Sequence, residues 1–582
     1  MMRRFLTASA ISLFGVSHAA KPDPSSLRKT NAGEVIGSKG PNQTHVWRGI
    51  PYALPPIGDL RWRAPRSRPV FDSVFLATNK PPICTQYNSP LGNTGLLGRK
   101  QVIGQEDCLY LSVWAPRFDK HKVPTTEDRL PVMFWIHGGG NSIGYGDAYQ
   151  PFNLVQQEQV IVVTINYRLG PLGWFPHPAI RATADNPQDA SGMYGLLDII
   201  AALRWVQANI ESFGGNPDKV TIFGESAGAA NVFMLLASPL AKGLFHQAIA
   251  QSARAYLYPI WQAEEFHEPD QKGHPNSSSE VISRLYAQQK QVSVSQVHKL
   301  VAETPEKLSS FLWHSTPESL LRMYKKTPTG MLFFPAYLRD GYVVPDQPLA
   351  QTLADPSLCN KVPLITGTNR DEQKTFLALN QRLVTKRMGL HIRDLDKYNS
   401  IAQYFSQAWK FSAVDNIANA YAQHTPVWGY RFDWDNLPRT WFVDFANLLG
   451  AGHALEMPFV FGEFQHIPVL PFVYNRKNRV ERQKLSSQMM FFWGQFARTG
   501  NPNAVGNEDW EKWDESEQVL LFDAPPSGIR MATQTVSADA LKKRLFADST
   551  LTKQEKCYVY KGIFRYSDFY DENELVKLAC IE

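Results

Sequence analysis

The sequence predicts an open α/β fold, a mostly parallel central sheet flanked by helices, and three observations predict it. Short β-branched or aromatic apolar runs at 132–136, 160–165 and 220–223 read as strands buried on both faces. Between the second and third, apolar residues at 196, 200, 203, 206 and 210 keep helical spacing over 196–210. Strand, helix, strand in that order calls for parallel strands joined by right-handed crossovers. Ligands in such sheets sit beyond the carboxyl ends of the strands.

Taken in chain order, the first element is a leader. Met1-Met2-Arg3-Arg4 precedes an apolar run over 5–16 and the small residues Ser17, Ala19 and Ala20. This reads as a signal peptide at 1–20, too short to span a bilayer. A mature chain of residues 21–582 is then expected to be secreted or periplasmic, where disulfides are permitted. No later run reaches the roughly 18 apolar residues of a membrane span. The helix over 196–210 ends before the breaker cluster Phe213-Gly214-Gly215-Asn216-Pro217. Further on, 362–366 and 429–434 read as strands and 487–498 as an amphipathic helix, whereas the polar stretch 264–279 reads as a surface excursion. The fold is expected to run through the mature chain as a single large domain.

Composition excludes several classes. Apolar residues make up 43% and charged residues 20% of the 582, ordinary globular values. Five cysteines are too few for a disulfide-framed scaffold. The formal charge of +6 includes Arg3 and Arg4, and the other basic residues are scattered among acidic ones. Nucleic acid finds no basic stripe to track. Nothing in the sequence specifies an oligomer.

Two Gly-x-Ser-x-Gly patterns occur. Gly224-Glu225-Ser226-Ala227-Gly228 follows the strand at 220–223 and leads into the helix-forming run Ala229 to Leu236. That is the strand-to-helix context of a nucleophile elbow, in which tight packing leaves no room for a Cβ at the glycines. Gly140-Asn141-Ser142-Ile143-Gly144 has no helix behind it. It belongs with His137-Gly138-Gly139-Gly140, directly after the strand at 132–136, where glycines free the backbone to aim amides into one small volume.

These segments resemble the type-B carboxylesterase and cholinesterase family of α/β-hydrolases. Trp47-Arg48-Gly49-Ile50-Pro51-Tyr52-Ala53, Glu106-Asp107-Cys108-Leu109-Tyr110-Leu111, Asn166-Tyr167-Arg168, Gly195-Leu196-Leu197-Asp198 and the Phe213 cluster look like family segments in family order, over about 32–523. The resemblance implies the α/β-hydrolase fold and a serine carboxylesterase acting on small uncharged carboxylic esters, with no metal or other cofactor. Two alternatives stand beside it: a lipase or sterol esterase of the same fold, and a non-catalytic adhesion domain. Members of the latter kind commonly lose the nucleophile, which is present here.

A serine hydroxyl needs a base, and the base needs an acid to fix its tautomer. In this fold the chain order is Ser, acid, His. After the strand at 362–366 comes Gly367-Thr368-Asn369-Arg370-Asp371-Glu372, which resembles the family's acid loop and implies Glu372, with Asp371 as the local alternative. Of His391, His424, His453 and His466, only His453 sits between small residues and an apolar run, in a segment that looks like the family's histidine loop. By resemblance, the amides of Gly139, Gly140 and Ala227 form the oxyanion hole. Glu225 either faces the substrate or is a hydrogen-bonded structural carboxylate.

The resemblance also implies a Cys84–Cys108 disulfide and buried ion pairs of Arg48 with Glu106 and Arg168 with Asp198. Of the remaining cysteines, Cys557 with Cys580 is the preferred pair over either with Cys359. The loop from Cys84 to Cys108 has no tryptophan, where cholinesterases hold choline by cation–π contact, so choline esters are disfavoured. Sequons at Asn42 and Asn276 would carry sugar only in a eukaryotic secretory path.

Overall fold

The computed structural model describes residues 20–578 and 580, apart from 93, 96–100, 255, 269–270, 305–307, 387–388, 466–472, 505–508 and 566–568. Residues 1–19 of the expected leader and His466 lie outside the described residues. The strands of one eleven-stranded sheet organise the rest. In chain order they are β1 (Ser38–Gly40), β2 (Thr44–Pro51), β3 (Tyr110–Pro116), β4 (Leu130–Ile136), β5 (Ile161–Ile165), β6 (Gly215–Glu225), β7 (Gln247–Gln251), β8 (Leu364–Asn369), β9 (Val427–Phe432), β10 (Gln518–Phe522) and β11 (Arg530–Thr533).

Across the sheet the order is β11-β10-β9-β8-β7-β6-β4-β5-β3-β2-β1. Pairing is parallel from β5 through β10 and antiparallel toward both edges. From β4 the chain moves outward to β5 and then crosses back to β6 on the other side, so the order reverses between β4 and β6. That reversal opens a crevice beyond their carboxyl ends.

Alternation along each strand sorts its side chains into two cores. Val132, Phe134 and Ile136 of β4 join one core with Leu196, Ile200 and Leu203 of helix α1 (Tyr194–Asn209). Met133 and Trp135 join the other with Met489, Trp493 and Phe496 of a second long helix (Arg479–Thr499). Both faces are covered, which is why the predicted strands read as unbroken apolar runs. A third, smaller core joins the helix Leu395–Lys410 to the C-terminal helices through Tyr398, Leu541, Val559 and Leu575.

Several expectations are corrected. The elbow strand begins at Gly215, inside the supposed breaker cluster, with a register shift between Gly215 and Val220. The helix expected at 487–498 extends over Arg479–Thr499. The stretch 264–279 is only partly an excursion: a two-stranded ribbon (His267–Glu268, Gln271–Lys272) is followed by buried His274, Asn276, Ser277, Ser278 and Ser279. Asn276 is engaged at both ends of its amide, donating to Phe333 O at 2.7 Å and accepting from Arg284 at 2.9 Å, whereas Asn42 is exposed.

Arg48 does not pair with Glu106. Its Nε lies 3.2 Å from Asp147. Glu106 is held by Arg61 Nε and Nη2, at 2.5 and 2.6 Å, and Arg61 Nη1 donates to Ser315 O. Arg168 and Asp198 form the expected buried pair, with contacts at 2.8 and 2.7 Å. Disulfides join Cys84 to Cys108 and Cys557 to Cys580, leaving Cys359 as the free thiol.

Candidate active site

Ser226 sits where β6 turns into helix α2 (Ala227–Ala237), with backbone angles of φ 56° and ψ −119°. A non-glycine residue held in such a region costs about 1–3 kcal/mol, so its neighbours must impose it. The Ser226 amide donates to Gln251 O at 2.8 Å, tying the turn to β7. A Cβ on Gly228 would stand 1.9 Å from Ile136 O, and one on Gly224 would stand 2.6 Å from the Gly228 carbonyl carbon. Only glycine fits at either position.

The glycine loop after β4 lies against this turn: a Cβ on Gly138 would be 3.1 Å from Ser226 Cβ. Gly139 and Gly140 adopt φ of 94° and 63°. Among the described residues neither of their amides donates a hydrogen bond, and Ala227 N–H stands at the first position of α2, where no helical carbonyl reaches it. The loop is braced from behind. The Tyr167 hydroxyl donates to His137 O at 2.6 Å, and Asn231 Nδ2 donates to Asn141 Oδ1 at 2.9 Å. The buried His137 ring stacks on Tyr167, and burial pushes its pKa down to about 4, so it stays neutral. Ser142, the serine of the other glycine pattern, donates to Gly139 O and accepts from Leu332 N–H, a loop-tying role.

Glu372 follows β8 and is fully buried. Its Oε1 accepts the Asn369 amide at 2.8 Å and its Oε2 lies 2.5 Å from His453 Nδ1. Asp371 serves elsewhere: it accepts from Arg370 and from the Ala451 amide, and although burial opposes it, Arg370 and Lys374 hold its pKa below the usual range. The His453 ring packs against Trp409 and Phe376, with centroids 4.7 and 5.3 Å away.

The structure thus joins Glu372 to His453 but does not hydrogen-bond Ser226 to the ring. His453 Nε2 instead faces Glu225 Oε1 at 3.0 Å, out of hydrogen-bond alignment, so that nitrogen is not committed. Glu225 is buried and touches the catalytic candidate directly, a place sequence reasoning left open between two roles. Glu456 was not singled out. It is fully buried, accepting from Asn369 Nδ2 at 2.6 Å and from Gln251 Nε2 at 3.3 Å. A lone carboxylate inside the apolar run 454–461 was the signal available.

Three carboxylates around one imidazole set the electrostatics. Burial pushes the Glu225 and Glu456 carboxyls up, and neighbouring carboxylates push them further. Burial disfavours the His453 imidazolium, but Glu225 and Glu372 outweigh it and raise the pKa to about 9. Among the described residues, no cluster of His, Cys, Asp and Glu has a metal-holding arrangement.

A parallel sheet that presents a strained serine at a strand-to-helix turn, beside glycine amides and an acid-anchored histidine from later strands, is the α/β-hydrolase architecture. Solved structures agree: a PNB esterase superposes with a TM-score of 0.65 at 29% identity, covering 90% of this chain and 100% of that one. The Geobacillus stearothermophilus carboxylesterase superposes with a TM-score of 0.61 at 28% identity, covering 87% and 97%. The Carboxylesterase family pattern matches residues 24–409 and 393–541, and the chain belongs to that family of carboxylic ester hydrolases. Among curated relatives, para-nitrobenzyl esterase of Bacillus subtilis is 33% identical over 85% of this chain and 94% of its own length. Human cocaine esterase is 32% identical over 89% and 92%.

Proposed function

We propose that Ser226, His453 and Glu372 carry a two-step acyl transfer on small uncharged carboxylic esters. Ser226 attacks the ester carbonyl as His453 Nε2 takes its proton, and the alcohol leaves with that proton. Water, activated by the same nitrogen, then releases the acid from the acyl-enzyme. The developing oxyanion is received by the amides of Gly139, Gly140 and Ala227, each worth about 3–4 kcal/mol of barrier by analogy with other oxyanion donors. The observation that carries this reading is the buried 2.5 Å Glu372–His453 contact, which fixes Nδ1 and leaves Nε2 for the serine hydroxyl to reach in the substrate complex.

Residues 21–582 act as one exported hydrolase domain after removal of the leader. Two disulfides support that compartment, and no described helix is long and apolar enough to cross a membrane.

The test is hydrolysis of 4-nitrophenyl butyrate. The parent protein turns it over with a burst, and Ser226→Ala loses about 10⁴- to 10⁶-fold in kcat, since members of such a set act as a unit. Activity retained by Ser226→Ala would remove the assignment. A series of 4-nitrophenyl esters graded by acyl length separates a short-chain esterase from a lipase or sterol esterase.

A further inference from the structure

Among the described residues, one cation beside this site has no counter-ion. Arg254 lies just beyond β7, whose Gln251 pairs with Glu225 in the neighbouring elbow strand, so the chain carries Arg254 to the same end of the sheet as Ser226. Its side chain is exposed, and its guanidinium carbon lies 5.6 Å from the Trp409 ring centroid. That indole packs on the His453 ring at 4.7 Å, and its N–H donates to Ala253 O at 2.6 Å and Ser252 O at 3.1 Å. A single ring therefore bridges the imidazole and the guanidinium and fixes the backbone that presents Arg254.

Other cations nearby are engaged. Arg370 is held by Asp371 and Asp435, Lys374 by Asp371, and Lys410 by Asp415. No carboxylate pairs with Arg254 among the described residues. Glu225 and Glu372 flank His453 at 3.0 and 2.5 Å, so the charge of its imidazolium is already balanced and a substrate carboxylate would need another cation to bind it. Arg254 is placed to do so, with a planar donor fork that suits a carboxylate.

We propose that Arg254 is a specificity-determining residue that binds a carboxylate carried by the substrate several bonds from the scissile ester. The site then takes half-esters of dicarboxylic acids, or esters of carboxylate-bearing alcohols, alongside neutral esters. This rests on the acyl-transfer reading of Ser226 and His453 and adds a substrate class to it.

Two isosteric substrate pairs test it. The acyl-side pair is mono-4-nitrophenyl glutarate against 4-nitrophenyl 5-methylhexanoate; the alcohol-side pair is 4-carboxyphenyl butyrate against 4-isopropylphenyl butyrate. Intrinsic reactivity cancels when each charged-to-neutral ratio of kcat/KM is compared between parent and variant. In one of the pairs the ratio falls about two- to fivefold in Arg254→Gln, the range of an exposed ion pair. It falls further in Arg254→Glu and is largely kept in Arg254→Lys. The pair that responds identifies the side of the ester on which the carboxylate sits. The parent's ratio for that pair also declines as salt is raised to about 0.5 M, because screening weakens an exposed contact.

Ratios within about twofold of the parent in both pairs, in both Arg254→Gln and Arg254→Glu, overturn the proposal. So does an equal loss on charged and neutral esters, which would make Arg254 a prop for Trp409. Turnover of neutral esters that depends on Ser226, with an unmoved ratio, sinks this inference alone. No Ser226-dependent turnover of neutral esters sinks the reading beneath it as well.

Discussion

Glu225 occupies the position next to the nucleophile and faces the base. A base must be neutral to take a proton, yet the Glu225 charge favours imidazolium, and His453 is held up at about 9. The acid limb of kcat/KM, which reports the free enzyme, is therefore expected well above the ordinary histidine range. Activity falls as pH drops through that region. Glu225→Gln removes the largest charge holding the proton, so its limb shifts down by about one unit or more, toward the ordinary value near 6.5. A pH–rate profile unchanged by Glu225→Gln would show that the carboxyl does not act on the ring. Ser226 was singled out by the spacing of its strand-to-helix glycine motif, whereas Glu372 and His453 were implied by resemblance to the family's acid and histidine loops, because the acid loop alone left Asp371 open and a lone histidine carries no spacing signal. The partner of His453 Nε2 was not legible, because it depends on how a buried carboxylate turns once β6 is in the sheet.

Elements rather than single residues explain why the elbow tolerates so little. Gly228→Ala would set a methyl 1.9 Å from a carbonyl of β4, so α2 or β4 must move. Activity is expected to be lost in that variant together with part of its stability, whereas Ser226→Ala keeps the parent's unfolding transition. Ion pairs show where local reading stops. The family resemblance implied both pairings, and Arg168 with Asp198 forms as expected, joining the loop after β5 to helix α1. Arg48 and Glu106 were mispaired because Arg61, from a turn between them, reaches the same carboxylate. A double-mutant cycle in urea should find coupling of about 0.5–3 kcal/mol between Arg61 and Glu106 and almost none between Arg48 and Glu106. The reverse result would restore the original pairing. Asp198→Asn, which leaves Arg168 buried without its partner, should cost about 3–5 kcal/mol.

Across the whole molecule, buried histidines pull stability in opposite directions. His453 binds its proton more tightly folded than unfolded, so its contribution is fully present below about 6.5 and is lost as pH rises through about 9. His137 and His177 are pushed down by burial to about 4 and about 3; their contribution is present above 6.5 and is lost as pH falls through those values. Thermal unfolding should therefore show a maximum in Tm near pH 6.5, and Glu225→Gln should flatten its alkaline side. A Tm still rising toward pH 9 would contradict the assignment. The sheet was readable at this scale because strands buried on both faces leave an unmistakable apolar run. The C-terminal helices were not, since their small core forms against Tyr398 and Ile401, far back in the chain, and is closed by Cys557–Cys580.

Labelling by an organophosphonate followed by peptide mass spectrometry tests the central claim most directly, because the reagent traps whichever hydroxyl the base activates beside the oxyanion donors. The account predicts one stoichiometric adduct on the peptide containing Ser226, absent from Ser226→Ala and sharply slowed in His453→Ala. An adduct on Ser142 or any other residue, or none in a protein that hydrolyses esters, would contradict it.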